Sequence, residues 1–257
     1  MSTATIMIIP AAWHVPEHYA SLETHLRSQN LEVFTERLPS MSIRVSRSSQ
    51  SPSKDAAYIR DKLRPSVNAG KDVILLMHSY GGLPGALAAK GFTKSERVAN
   101  GREGGVIGLI FMCAYIGGDR ESTLLSKLPG GRYQPWQFHN QRSAALIPIN
   151  PKHFFYNLVE DSVAETAVSL LVPFAEPAAS TPLDGQSAWA DAAFNGKRTY
   201  IKTTRDNAFP LEAQNAMVRD SGVEWDVVEL DAGHSPHLSH TGEVARIVGE
   251  RVKVFTG

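Results

Sequence analysis

The stretch DVILLMHSYGGLPGALAAK, residues 72–90, decides how the rest of the chain is read. Its first seven residues are a nearly continuous apolar run, as expected of a strand buried on both faces of a parallel sheet. A serine, two glycines and a further apolar stretch follow, the outline of strand, sharp turn and helix. A serine in such a turn takes strained backbone angles, and its hydroxyl projects from the carboxyl edge of the sheet. Gly81 and Gly82 let the helix return close to the strand. The helix N-terminus then aims amide N–H groups at whatever lies over Ser79. The plainer alternative is a turn in which Ser79 only caps a helix. One residue departs from the Gly-x-Ser-x-Gly form of this turn: Met77 stands at the first glycine position.

Working outward, β-branched runs alternate with amphipathic helical stretches. Strands are expected at 5–10, 31–38, 72–78, 105–115, 198–204 and 224–230. Helices are expected at 16–30, from a serine cap at Ser53 to Gly70, after Ser79, at 210–222 and at 242–255. Residues 39–53 read as a polar loop. This alternation predicts an α/β fold, a doubly wound and mostly parallel sheet. Residues 119–195 break the rhythm with prolines and with Tyr133, Trp136, Phe138, Phe154, Phe155, Tyr156, Phe174 and Trp189. They are expected to form a helical cap inserted into a core made of 1–118 and 196–257. No internal repeat or low-complexity tract is visible.

The 257 residues suit one α/β unit with an insertion. Lys plus Arg and Asp plus Glu both number 26, so no net field draws nucleic acid or an anionic membrane to the chain. The single cysteine, Cys113, leaves no intrachain disulfide and no cysteine-rich metal site; its apolar surroundings predict a buried core residue. The start of the chain lacks a basic leader, and no Asn-x-Ser/Thr site occurs, which predicts a cytoplasmic protein. No phosphate-binding glycine loop is present and His139 and His153 lack metal-ligand spacing, so neither a nucleotide cofactor nor a metal is expected.

A serine nucleophile needs a base, and the base needs an orienting acid. His234, in ELDAGHSPHLS, follows the last predicted strand, and Asp206, in TYIKTTRDNAFP, follows the strand before it. Ser79, Asp206 and His234 thus all fall at carboxyl ends of strands, where ligands of open α/β sheets bind. Asp231 and Glu229 lie nearer His234 in sequence. The base, however, must meet serine and acid on opposite sides of its ring, which favours an acid from the neighbouring strand. Two backbone amides should form an oxyanion hole, those of Tyr80 and of Ala12 in the loop after the first strand. His78 should point away from the site. His14 is expected to line the pocket, and His237 to sit at its rim or support the base.

On the segments IIPAAWHVPEHYASL, MHSYGGLPG, YIKTTRDNAFPLEAQNAMV and LDAGHSPHLS, the chain resembles the α/β-hydrolase fold over its whole length. It is similar to the plant methylesterase and hydroxynitrile lyase group, and more so to fungal and bacterial hydrolase-like proteins with a His-Ser-Tyr-Gly-Gly elbow. The resemblance implies that Ser79 is nucleophile, Asp206 acid, His234 base and Ala12 an oxyanion donor. The plant group has glycine at Met77; the flexible methionine and the retained Gly81, Gly82 and Gly85 predict an intact elbow.

The expected function is hydrolysis of an ester or lactone through an acyl-enzyme, on an apolar or aromatic small molecule in which Trp136, Phe155 and Trp189 set substrate choice. The resemblance suggests a polyketide-type secondary metabolite. A second reading keeps the triad for C–C cleavage, lyase or cyclase chemistry. Its hydroxynitrile lyase form is disfavoured, because Ser235 and Ala11 replace that group's lysine and threonine. A third is a non-catalytic small-molecule receptor. A monomer or homodimer is expected.

Overall fold

The computed structural model describes residues 4–42, 49–117 and 122–257. In chain order its regular elements begin with β1 (Thr5–Ile9), α1 (Ala20–Arg27), β2 (Glu32–Thr35), α2 (Pro52–Asn68), β3 (Asp72–His78), α3 (Gly82–Ala89), α4 (Lys94–Ala99) and β4 (Gly105–Met112). There follow α5 (Leu124–Lys127), β5 (Gln137–Asn140), β6 (Ala145–Pro148), α6 (Pro151–Phe155), α7 (Asp161–Leu170), β7 (Phe174–Ala175) and α8 (Glu176–Ser180). The chain closes with β8 (Arg198–Thr203), α9 (Leu211–Asp220), β9 (Asp226–Leu230), α10 (Pro236–Ser239) and α11 (Thr241–Thr256).

Six strands pair in the order β2-β1-β3-β4-β8-β9, every neighbouring pair parallel. The central strands divide their side chains by parity, as a strand buried on both faces must. Met7, Ile9, Val73, Leu75 and Met77 join the core under α2 and α3, with Ile59, Leu63 and Ala86. Ile6, Ile8, Ile74 and Leu76 join the core on the opposite face, with Leu22 and Leu26 of α1 and Val244, Ile247 and Val248 of α11. Two apolar layers on one sheet make the predicted doubly wound fold.

Local chemistry moves several element ends. The fourth strand stops at Met112, short of Tyr115, because Cys113 turns into the left-handed region at φ +38°. The stretch 16–30 is split into a 3-10 turn at Pro16–Tyr19 and α1. The cap of α2 is Ser51, which accepts from the Lys54 amide, with Pro52 in the first turn where its missing N–H costs nothing. Residues 43–48 of the predicted loop, and residues 119–121 of the predicted cap with residue 118 before them, lie outside the described residues.

Among the described residues between β4 and β8 the chain is mixed, not purely helical: four short helices accompany an antiparallel sheet β5-β6-β7. Phe138 pairs with Ile147 across β5 and β6, and Ala144 makes the turn at φ +47°. Runs this short favour pairing over helices, which need several turns to stabilise themselves. Among the described residues, no helix is long and apolar enough to cross a membrane.

Candidate active site

All the pieces predicted to act together emerge at one edge because the strands are parallel. The loop 10–14 leaves β1, Ser79 follows β3, Asp206 lies just after β8 and His234 just after β9. Ser79 itself sits at φ +52°, a left-handed conformation that L residues rarely adopt. Its carbonyl accepts from the Tyr115 amide at 3.0 Å, which ties the turn to the end of β4.

Met77 explains how this turn survives without its first glycine. A Cβ on Gly85, six residues beyond Ser79 in α3, would lie 2.7 Å from Met77 Sδ and 2.6 Å from Ile9 Cδ1. The room a strand glycine would leave is supplied from the helix side, and the methionine fills it, fully buried. Gly81 is held as tightly, since a Cβ there would meet the Ile9 and Pro10 carbonyls at 2.6 and 2.8 Å.

Ser79 Oγ lies 3.0 Å from His234 Nε2, and His234 Nδ1 lies 2.8 Å from Asp206 Oδ2. A carboxylate can only accept, so Nδ1 carries the proton and Nε2 is free to accept from the serine. Asp206 Oδ1 also accepts from the Ala208 and Phe209 amides at 2.8 and 2.7 Å, and Oδ2 from the Thr203 hydroxyl at 2.9 Å. These bonds fix the carboxylate facing the imidazole. Asp231, despite its nearness in sequence, is exposed and paired with Arg205, whose guanidinium holds its carboxyl below the usual range.

A narrow cavity of about 20 Å³ opens onto Ser79 and His234, room for roughly one water molecule. Ala12 and Tyr80 line it, as do Trp136 and Phe155. Trp189 does not: it belongs to a separate surface cleft beside Met217, and its indole N–H donates to the Gly117 carbonyl. Aromatic content alone does not tell which side of a segment faces the site. His14 is also displaced from the pocket. It is fully buried behind it, donating from Nδ1 to the Ala12 carbonyl at 2.8 Å while Tyr156 lies 3.0 Å from Nε2. Burial, then neighbouring His18, hold its pKa well below the ordinary value, so it stays neutral.

Composition and motif had not singled out Trp13, Tyr115, Leu124, Leu128, Gln137 and Ala208, which line the cavity too. Trp13 was the most findable, being next to Ala12. Its ring packs on Phe155 and Trp136 at 5.4 and 5.8 Å, and its N–H donates to Leu146 O at 2.8 Å. His78, Cys113 and His234 place potential metal-ligating atoms within 4.8 Å of one another. Both ring nitrogens of His234 are already committed to Ser79 and Asp206, and His78 Nε2 to the His234 carbonyl. A metal there would have to dismantle that arrangement.

The model of the alpha/beta hydrolase family matches residues 6–247. The chain belongs to that family. It is 30% identical to alpha/beta hydrolase nvfD of Aspergillus novofumigatus over 99% of this chain and all of the other. A pyrethroid hydrolase from Sphingobium faniae superposes with a TM-score of 0.74 at 18% identity, covering 98% of both chains. The methylesterase MES16 from Arabidopsis superposes with a TM-score of 0.70 at 17% identity, over 98% of this chain and 99% of that one. At such identities the superpositions speak for the fold.

Proposed function

We propose that this hydrolase cleaves an ester or lactone of an apolar, aromatic small molecule, with Ser79 as nucleophile, His234 as base and Asp206 as orienting acid. The observation that carries this reading is the relay from Ser79 Oγ through both ring nitrogens of His234 to Asp206, at 3.0 and 2.8 Å. His234 Nε2 takes the Ser79 proton as Oγ attacks the carbonyl carbon. The amides of Ala12 and Tyr80 stabilise the oxyanion. His234 then returns the proton to the departing alkoxide, leaving an acyl-serine. A water, deprotonated by the same nitrogen, releases the acid and restores Ser79.

Residues 119–195 act as the cap over this site, with Trp136 and Phe155 as substrate-facing rings. The ring of Phe155 stands 5.8 Å from that of His234, close enough to flank a bound acyl or aryl group. A cavity of about 20 Å³ admits no such group, so the cap shifts when substrate enters. The esterase and hydrolase names of the structural neighbours agree with ester chemistry, and a secondary metabolite remains our choice of substrate class.

The test is labelling by a fluorophosphonate, followed by a screen of p-nitrophenyl esters and aromatic lactones. Ser79-dependent labelling with ester or lactone turnover supports the reading. Labelling with no hydrolysis of any of them turns the assignment towards C–C cleavage or cyclisation. No labelling favours a receptor.

A further inference from the structure

Beneath Ser79 runs a buried chain of hydrogen bonds that the relay does not use. The Ala11 amide lies 2.9 Å from Tyr19 Oη, Tyr19 Oη lies 2.8 Å from His78 Nδ1, and His78 Nε2 lies 2.8 Å from the His234 carbonyl oxygen. The two ends fix every direction, because an amide N–H only donates and a carbonyl only accepts. His78 therefore carries its proton on Nε2, Tyr19 donates to Nδ1, and Ala11 donates to Tyr19. Tyr19 and His78 are both fully buried. Burial, and then His237 and His234 beside it, hold the His78 pKa well below its ordinary value, which keeps the single-proton ring this chain requires.

The chain touches each part of the machinery. Ala11 precedes Ala12, His78 precedes Ser79, and His234 is itself the base. We propose that Tyr19 and His78 are positioning residues that set the spacing between the loop carrying Ala12 and the backbone of His234. One rigid link then holds oxyanion donor and base in a single geometry. This rests on the roles assigned above to Ser79, His234 and Ala12. Packing alone asks for no oxygen at Tyr19, whose ring stacks on His237 at 4.5 Å and would do so as phenylalanine. Buried polar groups cost stability unless they are paired, so a chain with every member paired is a specific construction.

Tyr19→Phe removes one atom and leaves the Ala11 amide and His78 Nδ1 without their partner. The measurements are kcat and KM for p-nitrophenyl butyrate, per site titrated with diethyl p-nitrophenyl phosphate, and inhibition by phenylboronic acid, which forms a tetrahedral adduct on serine. The expected result is a kcat per titrated site lower by about tenfold to a hundredfold, the scale of a small misplacement of catalytic groups. KM should change little, and boronate affinity should fall in step with kcat/KM. Unchanged kcat per titrated site, with only fewer titratable sites or a lower Tm, overturns the proposal. Should Tyr19→Phe not fold, His78→Gln, which can still donate to the His234 carbonyl, is compared with His78→Phe. Higher kcat per site in the glutamine variant supports the proposal, and equal values overturn it. Failure of the underlying assignment looks different: wild-type protein would not titrate, or Ser79→Ala would keep its turnover.

Discussion

At the carboxyl edge of the sheet, the ring nitrogens of His78 and His234 and both carboxylate oxygens of Asp206 are committed to partners at 2.7–3.0 Å. The segment above it is made differently. Hydrogen bonds such as Trp13 to the Leu146 carbonyl and Tyr156 to His14 anchor it beside that edge, but over the cavity it presents the rings of Trp136 and Phe155, and it leaves Phe138, Ile147 and Ile149 exposed on its own surface. Directional bonds cannot shift without being broken, whereas apolar contacts can slide and re-form. Around the cavity, then, the edge is held by directional bonds while the cover presents mainly apolar side chains.

The comparison is tested most severely by removing members of the relay. Ser79→Ala should lower turnover by about six orders of magnitude, on the precedent of serine-triad enzymes, with the protein still folded and unlabelled by fluorophosphonate. Asp206→Asn should lower it by a factor on the order of 10⁴. Its amide would have to present an N–H either to His234 Nδ1, which offers its own proton, or to the two backbone amides that donate to the other oxygen. Asp231→Asn, at an exposed ion pair, should leave turnover close to wild type. Steady-state kinetics on one p-nitrophenyl ester reads all three. Near-normal turnover in Asp206→Asn would mean that the edge is not organised around that carboxylate.

A smaller effect comes from the underside of the edge, where Asp55 accepts from the Tyr80 hydroxyl at 2.7 Å and from Ser40. Burial raises its pKa from 3.8 to about 6, with Ser40 and Tyr80 pulling the other way. The folded state thus holds this proton more tightly than the unfolded one. Stability contributed by Asp55 is full below pH 4 and falls as pH rises through about 6. Relative to Asp55→Asn, wild-type protein should lose roughly 2–3 kcal/mol between pH 4 and pH 7. Urea unfolding of both proteins across that range measures it. The neutral buried His14, His78 and His237, whose pKa values burial lowers, act in the opposite sense below pH 6.5 and cancel in the difference. A pH-independent difference would show that Asp55 is ionised without cost.

The trade between Met77 and Gly85 gives a third test. Gly85→Ala should destabilise the protein by about 1–3 kcal/mol, as overpacking of a filled core does. Met77→Ala should recover part of that loss by emptying the space against which the new Cβ collides. Additive effects of the two substitutions would mean that the elbow relaxes around either residue independently.

The difference between edge and cover also governs what could be read from sequence. Ser79 was legible because it directly follows an apolar run, and Asp206 and His234 because each lies a few residues beyond a predicted strand; parallel pairing brings such positions to one side. The meeting of Met77 with Gly85 was only half legible: the retained glycines pointed to an intact elbow, but not to which of them makes the room. Tyr19 reads in the sequence as one apolar position of the helix expected at 16–30, because hydropathy does not report where a hydroxyl points. Over residues 119–195 sequence supplied aromatics and prolines but no register. Trp136 and Trp189 looked equivalent there, and only packing separates them.

Phe155 and Trp189 supply the mildest and most discriminating test of the cover. Phe155 lines the cavity at Ser79, whereas Trp189 packs in another cleft and its carbonyl accepts from buried Arg198. Phe155→Ala opens space beside His234 without touching a polar partner of the relay, so a bulky acyl group should gain relative to a small one. The ratio of kcat/KM for p-nitrophenyl benzoate over p-nitrophenyl acetate should move by about tenfold, the scale set by one altered apolar pocket contact. The rate of labelling by a small fluorophosphonate should stay close to wild type. Trp189→Ala should lower Tm, because it removes a large buried ring, yet leave that substrate ratio unchanged. If both variants lose turnover of the two esters and probe labelling in parallel, Phe155 is packing like Trp189, and the cover does not sort substrates through its rings.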